Sequence, residues 1–136
     1  MTKWAHSLIR LSKYEVETLQ KRLAEVAARR ASAEMRVAVL DAEREVESER
    51  AAVDAYAAMQ LATYVQGWKL RRGAAQGTLE EAATEEAGAR DALAQAFEEQ
   101  KKFEHVAELS RLSEKAKVAR QETAELDETA LRRASR

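Results

Sequence analysis

Between Val16 and Leu40 apolar residues return every three or four positions, at Val16, Leu19, Leu23, Val26, Ala33, Val37 and Leu40. On an α-helix this spacing gathers them into one narrow stripe, the a/d seam of a coiled coil, while the intervening Lys, Arg and Glu face water. The same register runs into Arg30 and Arg44, whose long stems can lie along a seam with their heads wet but weaken it. A helix of ~45 residues extends roughly 70 Å at about 1.5 Å per residue, so the stripe predicts a rod rather than a globule.

Composition points the same way. Of 136 residues 35% are charged and 5% aromatic, with no Pro, no Cys and four Gly, a balance typical of long helices and coiled coils. The second half repeats the stripe at Leu79, Ala82, Ala89, Leu93, Ala96 and Phe103. It then shifts phase to Val106, Leu109, Leu112, Ala116, Ala119, Leu126 and Ala130, as at a coiled-coil stutter. Two helical stretches, each with one apolar stripe, bury both by folding back on each other. The expected fold is all-α, a long antiparallel two-helix coiled-coil hairpin forming a single domain over residues 1–136, with helix one at about 4–52 and helix two reaching about 133.

The position of the turn has two readings. Gly67, Gly73 and Gly77 cluster in a chain that otherwise avoids glycine, and Thr78 with Glu81 three positions on has the form of a capping box. That chemistry places the turn at about 67–77. Inside the same region, "YVQGWKLRRG" sets Tyr64 and Trp68 one helical turn apart in a stretch otherwise poor in aromatics.

Charge and motif content exclude several functions. Lys plus Arg number 23 against 24 acidic residues, interspersed, so no global field exists to hold nucleic acid or an anionic membrane. The lack of Cys rules out disulfide and thiolate chemistry and suits a reducing compartment. The amphipathic start meets charge before any apolar run, so neither a signal peptide nor a membrane span is read and a cytoplasmic protein is expected. His6 and His105 stand far apart, and no Glu-x-x-His pair is present, which leaves no metal or catalytic constellation. "GWKLRRG" lacks the Gly-Lys-Ser/Thr of a phosphate loop, and "EREVESER" reads as a solvated helix face with internal ion pairs. No enzyme activity and no cofactor are expected.

The stretches "SLIRLSKYEVETLQKRLAEV" and "ARQETAELDETALRR" carry a family resemblance. The first has Leu8, Leu11, Glu15, Glu17 and Leu23, and the second Arg120, Glu122, Leu126, Asp127, Glu128 and Arg132. In order and spacing they resemble the two ends of the flagellar export protein FliJ family. The resemblance implies an antiparallel coiled coil similar to the stalk of rotary ATPases. Such a protein enters the hexameric flagellar export ATPase, contacts the membrane export-gate protein FlhA and handles empty export chaperones. It is cytoplasmic, associated with the flagellar basal body at the inner membrane only through partners. A structural coiled-coil protein that pairs with further copies of itself, without an export role, is the rival reading.

The resemblance also implies sites. Matched by spacing from the C-terminal motif, the export-gate stripe falls on Tyr64, Trp68, Arg71 and Ala75, one helix face at i, i+4, i+7 and i+11. Arg71 departs from the small apolar residue the family has there. The same register puts the turn at about 51–60 and the glycines inside helix two. Leu8, Leu11, Leu126 and Arg132 fall at the ATPase-side end. Residues alone offer other accounts: Leu61, Val65, Trp68, Arg72, Ala75 and Leu79 also follow seam spacing, which would bury Trp68. Trp4, Leu8 and Leu11 form a short apolar face suited to packing on helix two, and Arg132, Arg133 and Arg136 suit a helix C-terminus.

Overall fold

Without proline to interrupt it, the backbone closes into two helices, α1 (Lys3–Val53) and α2 (Ala55–Ala134). The computed structural model describes residues 3–135; Arg136 lies outside the described residues. Asp54 alone separates the helices. Its N–H donates to the Arg50 carbonyl at 3.0 Å, completing the last turn of α1, and its own carbonyl accepts from Ala58 N–H at 2.9 Å, opening α2. Its side-chain Oδ1 accepts from the Tyr56 N–H at 2.9 Å, the bond an N-cap aspartate makes to an otherwise orphan donor. Arg50, in the last turn of α1, complements the negative end of that helix dipole.

A turn at 67–77 is overturned. All three glycines lie within α2, none has positive φ, and Thr78 uses its hydroxyl to bond the Ala74 carbonyl at 3.1 Å inside the helix instead of capping one. Propensity loses here because this stretch carries seam residues: Trp68 is buried, and Arg72, Ala75 and Leu79 are half-buried. Packing of such a face outweighs local preference.

The chain divides into two compact units, one of Met1–Glu17 with Ala94–Arg136 and one of Thr18–Leu93. In Thr18–Leu93 the helices run antiparallel, since higher positions on α1 meet lower ones on α2: Arg29 reaches Glu85 at 3.0 Å, and Asp41 reaches Arg72 at 2.8 Å. Buried positions of α1 here are Val26, Ala33, Val37 and Leu40, with Leu19, Leu23, Arg30, Arg44 and Glu47 half-buried at the intervening steps. The facing run on α2 is Leu61, Val65, Trp68, Arg72, Ala75, Leu79, Ala82, Glu86, Ala89 and Leu93, all buried or half-buried at strict three-four spacing.

In the other unit the buried side chains are Ala5, Ser12 and Val16 from α1 with Ala96 and Ala107 from α2. The expected Trp4–Leu8–Leu11 packing face is corrected: Trp4 is 53% and Leu11 64% exposed, and only Leu8 is partly covered. Heptad spacing carried back from Val16 falls on Ser12, Ile9 and Ala5, one position off the bulkier residues. Ser12 tolerates burial because its hydroxyl donates to the Ile9 carbonyl at 2.8 Å.

The expected phase shift is also not used for pairing. Gln100, Phe103, Ala107 and Ser110 keep the old register, whereas Val106, Leu109 and Leu112 stay largely exposed, and every residue from 111 to 134 is exposed. With 80 residues against 51, α2 continues after the positions α1 can cover.

Candidate partner-binding site

Tyr64, Trp68, Arg71 and Ala75 share α2, but the structure sorts them by depth. Trp68 is 7% exposed. Its indole N–H donates to the Leu40 carbonyl at 2.6 Å, so the polar edge of a buried aromatic finds its acceptor on the opposite helix. The Arg44 guanidinium lies 4.4 Å from the ring centroid and that of Arg72 5.9 Å, both within cation–π range. Arg72 is fixed in turn by Asp41, with Nε–Oδ1 at 2.8 Å. That hydrogen bond, aided by the charge of Asp41, raises the guanidinium pKa still further above its ordinary value. The seam reading of Trp68 therefore holds and the exposed reading does not. An indole is large and apolar enough to fill a seam position whenever a backbone acceptor is within reach.

Tyr64 has a different environment. It is half-buried, its ring under the Arg71 guanidinium at 5.7 Å, and its hydroxyl is buried with no hydrogen-bond partner among the described residues. Open clefts flank it. One of about 800 Å³ is lined by Arg50, Asp54, Tyr56, Gln60 and Arg71, and one of about 400 Å³ by Val39, Ala42 and Val46. Arg71 is exposed and Ala75 half-buried beside it. Around the Asp54 turn Val53, Tyr56 and Met59 stand out into solvent, Met59 at 82%. The four residues thus present a tyrosine edge, an exposed cation and a small residue, backed by a tryptophan that faces inward.

Of the residues expected at the chain ends, Leu8 is half-buried and Leu11 exposed. Leu126 and Arg132 are exposed on the unpaired stretch of α2, where Arg132 bonds Glu128 at 2.7 Å. Sequence reasoning missed Glu86. This carboxylate is 5% exposed at a seam position and is held by Arg90 at 2.6 Å and Arg30 at 3.5 Å. The Arg90 hydrogen bond lowers its pKa below the usual carboxylate range, against the opposing effect of burial, and the charge of Arg30 adds to the lowering. Its signal was the gap in the stripe between Ala82 and Ala89, where heptad spacing requires a residue.

Among the described residues no group of acidic or histidine side chains is placed to hold a metal ion, and no helix is long and apolar enough to cross a membrane.

Comparison with known proteins agrees with this architecture. The family model described as flagellar FliJ protein matches residues 6–136. The chain is 52% identical over 135 residues to proteins named flagellar FliJ protein from two strains of Caulobacter vibrioides, covering 99% of this chain and 97% of theirs. No solved structure matches.

Proposed function

The chain belongs to the flagellar FliJ protein family, and from that premise we propose that it couples the hexameric flagellar export ATPase to the export-gate protein FlhA. In the same reading it escorts emptied export chaperones, works in the cytoplasm at the flagellar basal body, and catalyses no reaction itself. The observation that carries this reading is the extent of the family match, which takes in both helices, the Asp54 turn and the exposed end of α2.

Two surfaces support a division of labour. Gate contact is assigned to Tyr64, Arg71 and Ala75, with Trp68 behind them holding α2 against Leu40. A buried hydroxyl without a partner costs about 1–3 kcal/mol, so an acceptor supplied by the gate would satisfy Tyr64 at the moment of binding. Exposed Tyr56 and Met59 extend the apolar area such a partner would cover. ATPase contact is assigned to Leu126 and Arg132, with Leu8 and Leu11. Leu126 and Arg132 sit where α2 has no covering helix, leaving both faces of the segment free to line a ring.

Pull-down with purified components tests both assignments. Tyr64→Ala combined with Arg71→Glu is expected to weaken capture of the FlhA cytoplasmic domain at least tenfold while ATPase capture and helicity stay at wild-type levels. Removing residues 111–136 should do the reverse. Undiminished gate capture by the double variant would sink the gate assignment, and ATPase capture by the shortened chain would sink the other.

A further inference from the structure

Strict heptads create a problem of uniqueness. Along Leu19–Glu47 and Leu61–Leu93 every third or fourth residue is a seam position, so sliding one helix by seven residues against the other restores the same layers of knobs and holes. Apolar residues alone distinguish the native register poorly from its neighbours. The polar residues in this seam do distinguish it.

We propose that Arg30–Glu86 and the Trp68 cluster of Leu40, Asp41, Arg44 and Arg72 form a register lock that holds α1 and α2 in one alignment. Arg44 stacks on Trp68 at 4.4 Å, and seven positions further along each helix, in opposite directions, are Val37 and Ala75. Another seven brings Arg30 to the layer of Ala82, one helical turn from Glu86, which it reaches at 3.5 Å. Slid by a heptad in one direction, Glu86 would share a layer with Leu19, and in the other with Ala33. The slip toward Leu19 leaves a carboxylate that is 5% exposed without its partner on α1, whereas the slip toward Ala33 keeps Arg30 within one helical turn of it; both take Arg72 away from Asp41, now at 2.8 Å. They also replace Arg44 over the indole by Val37 or Ala51. An ion pair taken from water often adds little net stability over well-packed apolar residues, but breaking it by misalignment is costly, because the buried carboxylate then keeps only Arg90 of its own helix as a partner. The seam accepts weaker packing and gains one alignment; the same alignment decides which α1 residues stand beside Tyr64. The lock stands on geometry alone and does not depend on the proposed function.

A chain without cysteine allows a direct test, because a disulfide forms only between residues whose Cα atoms lie within about 7 Å. Val37→Cys with Ala75→Cys reports the native register. Val37→Cys with Ala82→Cys reports a slip one way, and Val26→Cys with Leu79→Cys the other. In the otherwise native sequence only the first pair should oxidise. Combining Arg30→Leu, Glu86→Leu, Asp41→Ala and Trp68→Leu should raise at least one slipped pair tenfold or more, to a yield comparable with the native pair. Slipped pairs that stay silent while the native pair still closes would overturn the lock and assign register to the Asp54 turn. Because the fourfold variant can lose folding, a second set keeps the question open to refutation. Glu86→Arg should increase the cross-link of the Val26→Cys with Leu79→Cys pair, which reports the slip that separates Arg30 from position 86, and adding Arg30→Glu to restore the pair should suppress it. Equal slippage in both would also overturn the proposal.

Discussion

The stretch Leu61–Leu93 and the stretch 111–134 belong to the same helix and have similar composition, yet they are helical for different reasons. In the first, seam positions are buried or half-buried at every step and α1 supplies cross-helix bonds to Trp68, Arg72, Glu85 and Glu86. In the second every residue is exposed, and side-chain bonds run between neighbouring turns of the same helix. Arg132 bonds Glu128, and Thr123 and Thr129 bond the carbonyls four residues back. Tertiary packing holds the first, and short-range pairs worth tenths of a kcal/mol each hold the second. Regular helix in a structure therefore says little about how firmly a segment is held. What covers it decides.

Truncating an apolar group in each stretch should break the symmetry most visibly. Trp68→Ala removes a ring that fills the seam and leaves the Leu40 carbonyl without its second donor, so a loss of about 3–5 kcal/mol is expected in urea or thermal unfolding. Leu126→Ala, at a position 71% exposed, should change the same measurement by less than about 0.5 kcal/mol. A smaller effect follows from Glu86. Its carboxyl pKa is depressed in the folded chain, so its contribution is fully present above the ordinary glutamate pKa of about 4.3. That contribution disappears as pH falls from there through the folded value. Glu86→Gln should lower stability at neutral pH and flatten the dependence on pH below about 4.5, read as thermal midpoints across an acid series. An unchanged acid slope would mean that other carboxylates, such as Glu108 beside Arg111, also depressed, carry it.

Much of this was legible in the residues and some was not, for reasons particular positions make clear. Val16 through Leu40 declared one helix and one face, and the heptad carries that face unaltered to buried Ala5 and half-buried Arg44. Trp4 and Leu11 misled because size is a poor guide to side: spacing, not bulk, chooses Ala5 and Ser12. The glycines misled because propensity is local and Trp68 is not. Its partner Leu40 lies 28 positions away, beyond any windowed signal. Asp54 was inconspicuous because one aspartate serves as both the end of α1 and the cap of α2. Glu86 could be found only as a position the stripe demanded and the eye skipped. Of the candidate site, the helix face of Tyr64, Arg71 and Ala75 came from the family resemblance and the burial of Trp68 from seam spacing, whereas the Leu40 carbonyl that receives its indole N–H is marked by no sequence pattern.

Glycine offers a further contrast between what the fold needs and what the sequence contains. A Cβ built at Gly73 meets nothing within 4 Å, and its backbone is ordinary helix. Gly73→Ala should therefore stabilise the chain by about 0.5–1 kcal/mol, through the entropy the unfolded chain no longer has to lose. Destabilisation instead would mean that this stretch of α2 bends more closely to α1 than the open space around the residue allows.

The smallest expected effect concerns the exposed end. Arg132 and Glu128 are both well exposed and paired at 2.7 Å four residues apart, so Arg132→Ala should cost helix stability only about 0.3–0.5 kcal/mol. The loss should shrink further in 1 M salt, where the Debye length falls to about 3 Å. Because every residue of 111–134 is exposed, the loss should appear as faster amide hydrogen exchange confined to the last turns of α2, with exchange in Leu61–Leu93 unchanged. Exchange that quickened in both stretches together would show the end coupled to the seam, and the two reasons for helicity would collapse into one.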